Sequence, residues 1–189
     1  MQNVTERPYV RVDEPLSGPI LQVSPAPTVV PRGFVHSTYR HEFMIARPRA
    51  ELWAWLDDPA TFAEGQVAPY RTEFVENEDG EGGFAEGAYH GQVGPLMSLT
   101  GVLGAVEPDR YRDQQYFFGS YIASRSLFRP TRLQFWLDDG PGANCTVLRV
   151  RLDAHIRRRA QGTWERMMRS FWTRFGRSGA QAKPCRWLH

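Results

Sequence analysis

Apolar positions near the end of the chain recur with the period of an α-helix. In TWERMMRSFWTRF, residues 163–175, they follow the spacing i, i+3, i+4, i+7, i+8 and i+11, which is one helical face. This stripe consists of Trp164, Met167, Met168, Phe171, Trp172 and Phe175. Arginines occupy the opposite face. The pattern predicts an amphipathic helix over residues 163–178, with Thr163 as its N-cap and Gly176 or Gly179 at its end.

Earlier segments show the period of two that is typical of β-strands. One face of TYRHEFMIA, residues 38–46, carries Tyr39, His41, Phe43 and Ile45, and the other face is mainly charged. The next segment, RPRAELWAWLDDPATFAEG, predicts two short helices, the first beginning near Pro48 and broken at Pro59. Six strand-like runs follow at 69–76, 84–92, 98–107, 111–119, 131–138 and 145–156. This order predicts an α+β domain with an antiparallel sheet and its helices on one side.

The segment before this domain has a different composition. Prolines stand at positions 8, 15, 19, 25, 27 and 31, which favours extended backbone without regular helix. We predict a Pro-rich arm at 1–36, a domain at 37–180 and a tail at 181–189. The arm is either a partly disordered extension or a strap over the domain or a dimer partner. The strap is favoured because the arm's apolar residues would otherwise be exposed.

Composition narrows the chemistry. The chain has 189 residues, 41% of them hydrophobic and 23% charged, which suits one globular domain. The net charge of +2 is small and the basic residues are dispersed, which disfavours nucleic-acid binding. Lys183 is the only lysine, and no metal-ligand or catalytic-triad spacing occurs, so we expect no cofactor and no metal. No apolar run predicts a signal peptide or a membrane-spanning helix, so we predict a cytoplasmic protein.

Several motifs together resemble the SRPBCC superfamily, which includes START, polyketide cyclase and Bet v 1-like proteins. HEFMIARPRAELWAWLDDPATF is similar to that family's first strand and Pro-initiated helix, and NEDGEGGFAEG resembles its glycine-rich turn. VLGAVEPDRY is similar to its strand ending in a Glu-Pro turn, and TWERMMRSFWTRF stands where its C-terminal helix stands. The resemblance covers about residues 38–180. It implies a helix-grip fold, in which a curved antiparallel sheet of about seven strands surrounds a long C-terminal helix and encloses a cavity.

The implied cavity suggests a set of ligand-binding residues, because methionine and aromatic side chains adapt well to apolar ligands. The candidates are His41, Phe43, Tyr89, Tyr116, Phe135, Trp164, Met167, Met168, Phe171 and Trp172. His41 shares the inward face of its strand, although a lone inward histidine is more often a hydrogen-bonded core residue than a catalyst. Glu86 and His90 either form an inward polar pair or face solvent, in which case Tyr89 points inward. Arg157, Arg158 and Arg159 are either a solvated turn or a site for an anionic group at the cavity mouth.

These observations favour the binding of a hydrophobic or amphipathic small molecule. A cyclase or aromatase type of enzyme is an alternative, with His41, Tyr89 or Tyr116 moving a proton of an enolisable substrate. A second alternative is an interaction module that forms a homodimer through its arm. The apolar helix stripe by itself indicates only packing, and the resemblance supplies the expected cavity.

Overall fold

The computed structural model describes residues 29–59, 71–75, 83–117, 120–124, 126–142 and 144–181. Its elements are β1 (Phe34–Ile45), α1 (Arg49–Asp57), β2 (Arg71–Val75), β3 (Tyr89–Gly94), β4 (Met97–Glu107), β5 (Tyr111–Tyr116), β6 (Tyr121–Ile122), β7 (Phe128–Asp139), β8 (Thr146–Arg157) and α2 (Gln161–Gln181). A 3-10 turn, Arg158–Ala160, precedes α2. Most of the predicted arm, most of the second short helix and nearly all of the tail lie outside the described residues.

All described strands belong to one antiparallel sheet. The order is β1-β8-β7-β5-β4-β3-β2, and the short β6 pairs with β4 and β7. The first and last strands are neighbours over their full length, from Phe34 opposite Arg157 to Ile45 opposite Thr146. The predicted α+β helix-grip arrangement is therefore confirmed.

The strand boundaries differ most from the prediction at the starts of β1 and β3. β1 already begins at Phe34, so its first three residues fall within the predicted arm. β3 begins at Tyr89 and not at position 84, because residues 83–87 form turns in which Gly83 and Gly87 have φ of +66° and +81°. Glycine tolerates positive φ without steric cost, and such a conformation interrupts a strand. The short β6 is one strand more than the seven predicted.

The concave face of the sheet holds the hydrophobic core. Alternate residues of β8, including Leu148, Val150 and Leu152, point to this face, and all three are buried. The two described helices pack here as well. The rings of Trp55 on α1 and Phe175 on α2 lie 5.5 Å apart between their centroids. The sheet therefore has helices on one side only among the described elements.

The C-terminal helix is longer than predicted at both ends. It begins at Gln161, so Thr163 lies inside the first turn and is not the N-cap. It also continues through Gly176 and Gly179 to Gln181. At Gly176 a Cβ atom would overlap the ring of Phe43, so glycine there permits close packing of the helix on β1 and does not end the helix. The predicted apolar face is confirmed: its members are buried, except that Met167 and Phe171 are half-buried.

A cavity between the sheet and the C-terminal helix

A cavity of about 410 Å³ lies between the concave face of the sheet and α2. Its helical wall is formed largely by Met167, Met168, Phe171 and Trp172. The sheet contributes Met97, Leu99, Ile122, Leu133, Phe135 and Leu152. Volumes of about 300–1,000 Å³ and largely apolar walls are usual for small-molecule sites. The cavity therefore has the size and lining of a ligand site.

One group of uncharged polar side chains lies in the sheet wall. The Tyr116 hydroxyl is 3.5 Å from both Gln92 Oε1 and Gln114 Oε1, and Gln92 Nε2 donates to Gln114 Oε1 at 3.3 Å. Gln92 pairs with Leu99, and Tyr116 pairs with Gly101, which brings all three side chains to the concave face. Burial raises the pKa of the Tyr116 phenol, so it stays protonated and can donate a hydrogen bond at neutral pH.

A buried cation stands next to this polar group. Arg112 has no exposed surface, its Nη1 donates to the Leu56 carbonyl at 2.6 Å, and its guanidinium lies 3.6 Å from the centroid of the Phe84 ring. Burial lowers the pKa of Arg112 to about 9, against the opposing influence of Asp57. The guanidinium is therefore still charged at neutral pH.

His90 is buried beside Tyr116, with 5.6 Å between the ring centroids. Burial and the charge of Arg112 lower the pKa of His90 to about 3, so the imidazole is neutral. Neither ring nitrogen has a hydrogen-bond partner among the described residues. A Cβ atom at Gly101 would lie 2.8 Å from His90 Nε2, so this glycine provides the space for the ring.

The rim of the cavity carries exposed arginines, namely Arg71 on β2 and Arg166 and Arg174 on α2. Arg157, Arg158 and Arg159 were candidates for this position from the sequence, and none of them lines the cavity. Arg157 Nη1 and Nε instead donate to the backbone carbonyls of Arg32 and Ser126. The rim arginines come from β2 and α2, which are far apart in the sequence, so sequence spacing did not predict that they lie together.

The structure brings six of the ten predicted residues to the cavity wall: Tyr116, Phe135, Met167, Met168, Phe171 and Trp172. Tyr89 is 46% exposed and lies on the opposite face of β3, because the pairing of His90 with Gly101 turns His90 inward. The hypothesis of an inward Glu86–His90 pair is therefore wrong, since Glu86 is exposed in the turn before β3.

The other three predicted residues lie near the cavity without lining it. His41 is half-buried on β1, where its ring lies 4.4 Å from that of Phe43 and burial lowers its pKa. Phe43 is covered by Gly176 of α2. Trp164 packs on Phe128, with 5.4 Å between the ring centroids. Phe43 and Trp164 belong to the hydrophobic core, and His41 lies at its edge.

Gln92, Gln114 and Arg112 were not among the site residues predicted from the sequence. A signal existed in YRDQQY, residues 111–116, where Arg112 and Gln114 share the parity of the candidate Tyr116. Among the described residues, no group of three or more histidine, cysteine, aspartate or glutamate side chains is arranged to hold a metal ion. Within the same part of the chain, no helix is long and apolar enough to cross a membrane.

Known proteins provide a comparison at the level of the fold. No protein-family model and no curated protein sequence matches the chain. Among solved structures, norcoclaurine synthase from Thalictrum flavum is similar, with 12% identity, a TM-score of 0.58 and coverage of 84% of this chain and 100% of that chain. A protein from Nitrosospira multiformis is similar with 13% identity, a TM-score of 0.59 and coverage of 77% and 94%. Ara h 8.0201 is similar with 12% identity, a TM-score of 0.53 and coverage of 77% and 98%.

These similarities agree with the element order, with the antiparallel sheet and with the position of the long C-terminal helix. The structural similarity establishes a common fold, and identities of this size leave the ligand and any reaction open. The chain therefore has a Bet v 1-like helix-grip fold.

Proposed function

We propose that this protein binds a hydrophobic or amphipathic small molecule, of a lipid, polyketide or aromatic type, in the cavity between the sheet and α2. The observation that carries the proposal is a cavity of about 410 Å³ whose apolar walls include one uncharged polar group. Apolar walls give affinity through burial, and a few placed polar groups fix the orientation of the ligand.

The polar group also indicates which ligand atoms would meet it. Gln92, Gln114 and Tyr116 offer amide and phenol groups, so a hydroxyl or carbonyl oxygen matches them better than a charged group. A solved structure of norcoclaurine synthase contains dopamine and hydroxybenzaldehyde, which are small aromatic molecules. Since that protein shares this fold, its ligands support an aromatic candidate class for this chain.

The test measures binding of the uncharged dye N-phenyl-1-naphthylamine to the full chain and to Met168→Trp. Met168 lines the cavity, so the larger side chain should fill ligand volume and weaken binding. Its effect on the free energy of unfolding should stay below the roughly 1–3 kcal/mol that overpacking of a solid core costs. Met44→Trp is the matched control, because Met44 is 39% exposed on the other face of β1. If the dye does not bind and Met168→Trp mainly lowers stability, the cavity is not a ligand site.

Tyr116 favours a second candidate function, an enzyme of the cyclase or aromatase type. A protonated phenol beside the charged guanidinium of Arg112 could donate a hydrogen bond to a substrate carbonyl, while solvent water takes the proton from the adjacent carbon and an enolate forms. The test is proton–deuterium exchange at the central carbon of 1-phenylbutane-1,3-dione, with and without the protein. Acceleration that disappears in Tyr116→Phe, while dye binding persists, supports catalysis. Exchange at the uncatalysed rate argues for a carrier.

A further inference from the structure

The convex face of the sheet, which points away from α2, carries a group of polar and aromatic side chains with almost no exposure. The members lie on the central strands β5, β7 and β8, and none is more than 6% exposed: Tyr111, Asp113, Gln115, Arg132, Gln134, Trp136, Arg151, Asp153 and His155. We call them the convex-face cluster. Residues of flanking strands on the same face are exposed, including Arg40, Met44, Tyr89 and Thr100. Apart from Phe34 at the start of β1, the nearly complete burial is therefore centred on these three strands.

The charges within the cluster balance one another. Arg132 Nε and Nη2 donate to the two oxygens of Asp113 at 2.7 and 3.0 Å, and Arg151 Nε lies 3.0 Å from Asp153 Oδ2. Outside the Arg151–Asp153 ion pair, the cluster's polar atoms that lack a hydrogen bond are uncharged. Trp136 Nε1, Gln134 Oε1 and Gln115 Oε1 have no hydrogen-bond partner among the described residues. A covering segment must therefore exclude water and offer neutral donors and acceptors, without contributing charge.

Neither described helix can cover this cluster, because both pack on the concave face. The remaining parts of the chain differ in where they are attached. Residues 60–70 and 76–82 flank β2, at the edge of the sheet four strands from β7, and residues 182–189 follow α2 on the concave side. Residues 1–28 precede β1, which pairs directly with β8. The N-terminal segment is the one attached next to the cluster.

The described end of that segment already lies on the convex side. Phe34 pairs with Arg157, which lies two residues beyond His155 and shares its face of β8. The guanidinium groups of Arg129 and Arg157 stand 5.1 and 4.5 Å from the Phe34 ring centroid. Arg157 Nη1 also donates to the Arg32 carbonyl at 3.2 Å. These contacts place Arg32 and Phe34 on the convex side, next to the end of β8 that carries His155.

Length and composition also fit. From β1 to β5 the sheet spans three strand spacings, roughly 14 Å, whereas fourteen extended residues reach roughly 46 Å. Residues 15–28, PLSGPILQVSPAPT, contain no charged side chain, and they include Leu16, Ile20, Leu21 and Val23. An extended proline-rich backbone leaves N–H and C=O groups without internal partners, which suits the neutral unpaired atoms of the cluster. We propose that residues 15–28 of this same chain pack across the convex-face cluster and exclude water from its two ion pairs.

The first test uses thiol labelling of the full chain. In a background with both cysteines replaced by serine, Gln115→Cys reports on the cluster and Thr100→Cys reports on exposed surface of the same face. Ile20→Asp with Leu21→Asp should speed maleimide labelling of Gln115→Cys by at least about tenfold, because it weakens the cover. Labelling of Thr100→Cys should not change. Equal rates for Gln115→Cys with and without the aspartates would overturn the proposal, as would protection that increases with protein concentration, which indicates a second copy.

The second test does not depend on a destabilised arm. A photoreactive p-benzoylphenylalanine in place of Trp136 should cross-link to a peptide from within residues 15–28. Mixing isotope-labelled and unlabelled protein shows whether both peptides come from one chain. Cross-links to another part of the chain, or between labelled and unlabelled copies, contradict the proposal.

Discussion

His90 leads to a prediction about the pH dependence of folding. Its pKa is about 3 in the folded protein and about 6.5 in an unfolded chain, because the buried ring has to stay neutral. Between these values the unfolded state binds a proton that the folded state does not bind. The contribution of His90 to stability is therefore fully present above about pH 6.5 and is lost as the pH falls toward about 3. Integration of this difference gives a loss of about 2 kcal/mol between pH 7 and pH 5.

The assay is urea unfolding at pH 7 and at pH 5, for the wild type and for His90→Gln. Glutamine does not titrate, so this variant keeps every other pH-dependent contribution and removes that of His90. We expect the wild type to lose about 2 kcal/mol more than the variant between the two pH values. His90→Gln also lowers the free energy of unfolding through lost packing, but by the same amount at both pH values, so this effect cancels when the two pH-dependent losses are compared. Equal losses in the two proteins would show that His90 is solvated or can be protonated when the protein is folded, and would refute the reasoning.

Three further predictions concern stability in urea. Trp172→Ala should lower the free energy of unfolding by about 3–5 kcal/mol, because Trp172 is only 3% exposed. Phe171→Ala should lower it clearly less, because Phe171 is half-buried beside the cavity. Equal losses would mean that packed side chains fill the cavity. Arg132→Met should cost about 3–5 kcal/mol by leaving Asp113 buried without its partner, and adding Asp113→Leu should recover most of that loss; no recovery would contradict the ion-pair argument. Gly176→Ala should be destabilising despite the better helix propensity of alanine, because its Cβ would overlap an aromatic ring of β1, and a stabilising effect would show that β1 can move away.

The local periodicity of apolar residues was sufficient to predict much of the fold. The helical stripe from Trp164 to Phe175 was predicted correctly because its burial follows directly from a period of 3.6 residues. The same holds for β1, where Phe43 and Ile45 are buried and Met44 is exposed. These elements bury strongly apolar residues on one face, so the identity of the side chains alone determines which face is inward.

The polar part of the site could not be predicted in this way. In YHGQVG, residues 89–94, hydropathy favours Tyr89 as the inward residue, yet pairing with Gly101 turns His90 inward. Likewise, Arg112 is buried because the Leu56 carbonyl, distant in sequence, accepts its hydrogen bond. The burial of these polar side chains depends on hydrogen-bond and packing partners that only the folded chain brings together. Secondary-structure propensity and the hydrophobic pattern therefore cannot predict it.

The pairing of β1 with β8 has a consequence for how the chain reaches this structure. Thr38 and Asp153, which are joined by a side-chain hydrogen bond, lie 115 residues apart in sequence. Among the described strands β1 pairs only with β8, so it cannot form these sheet hydrogen bonds until the last strand has been synthesised. Loop closure over such a distance is slow, and an uncovered strand edge is prone to pair with other chains. We expect refolding to be slow compared with helical proteins of this length, and aggregation to compete mainly before β8 has joined the sheet.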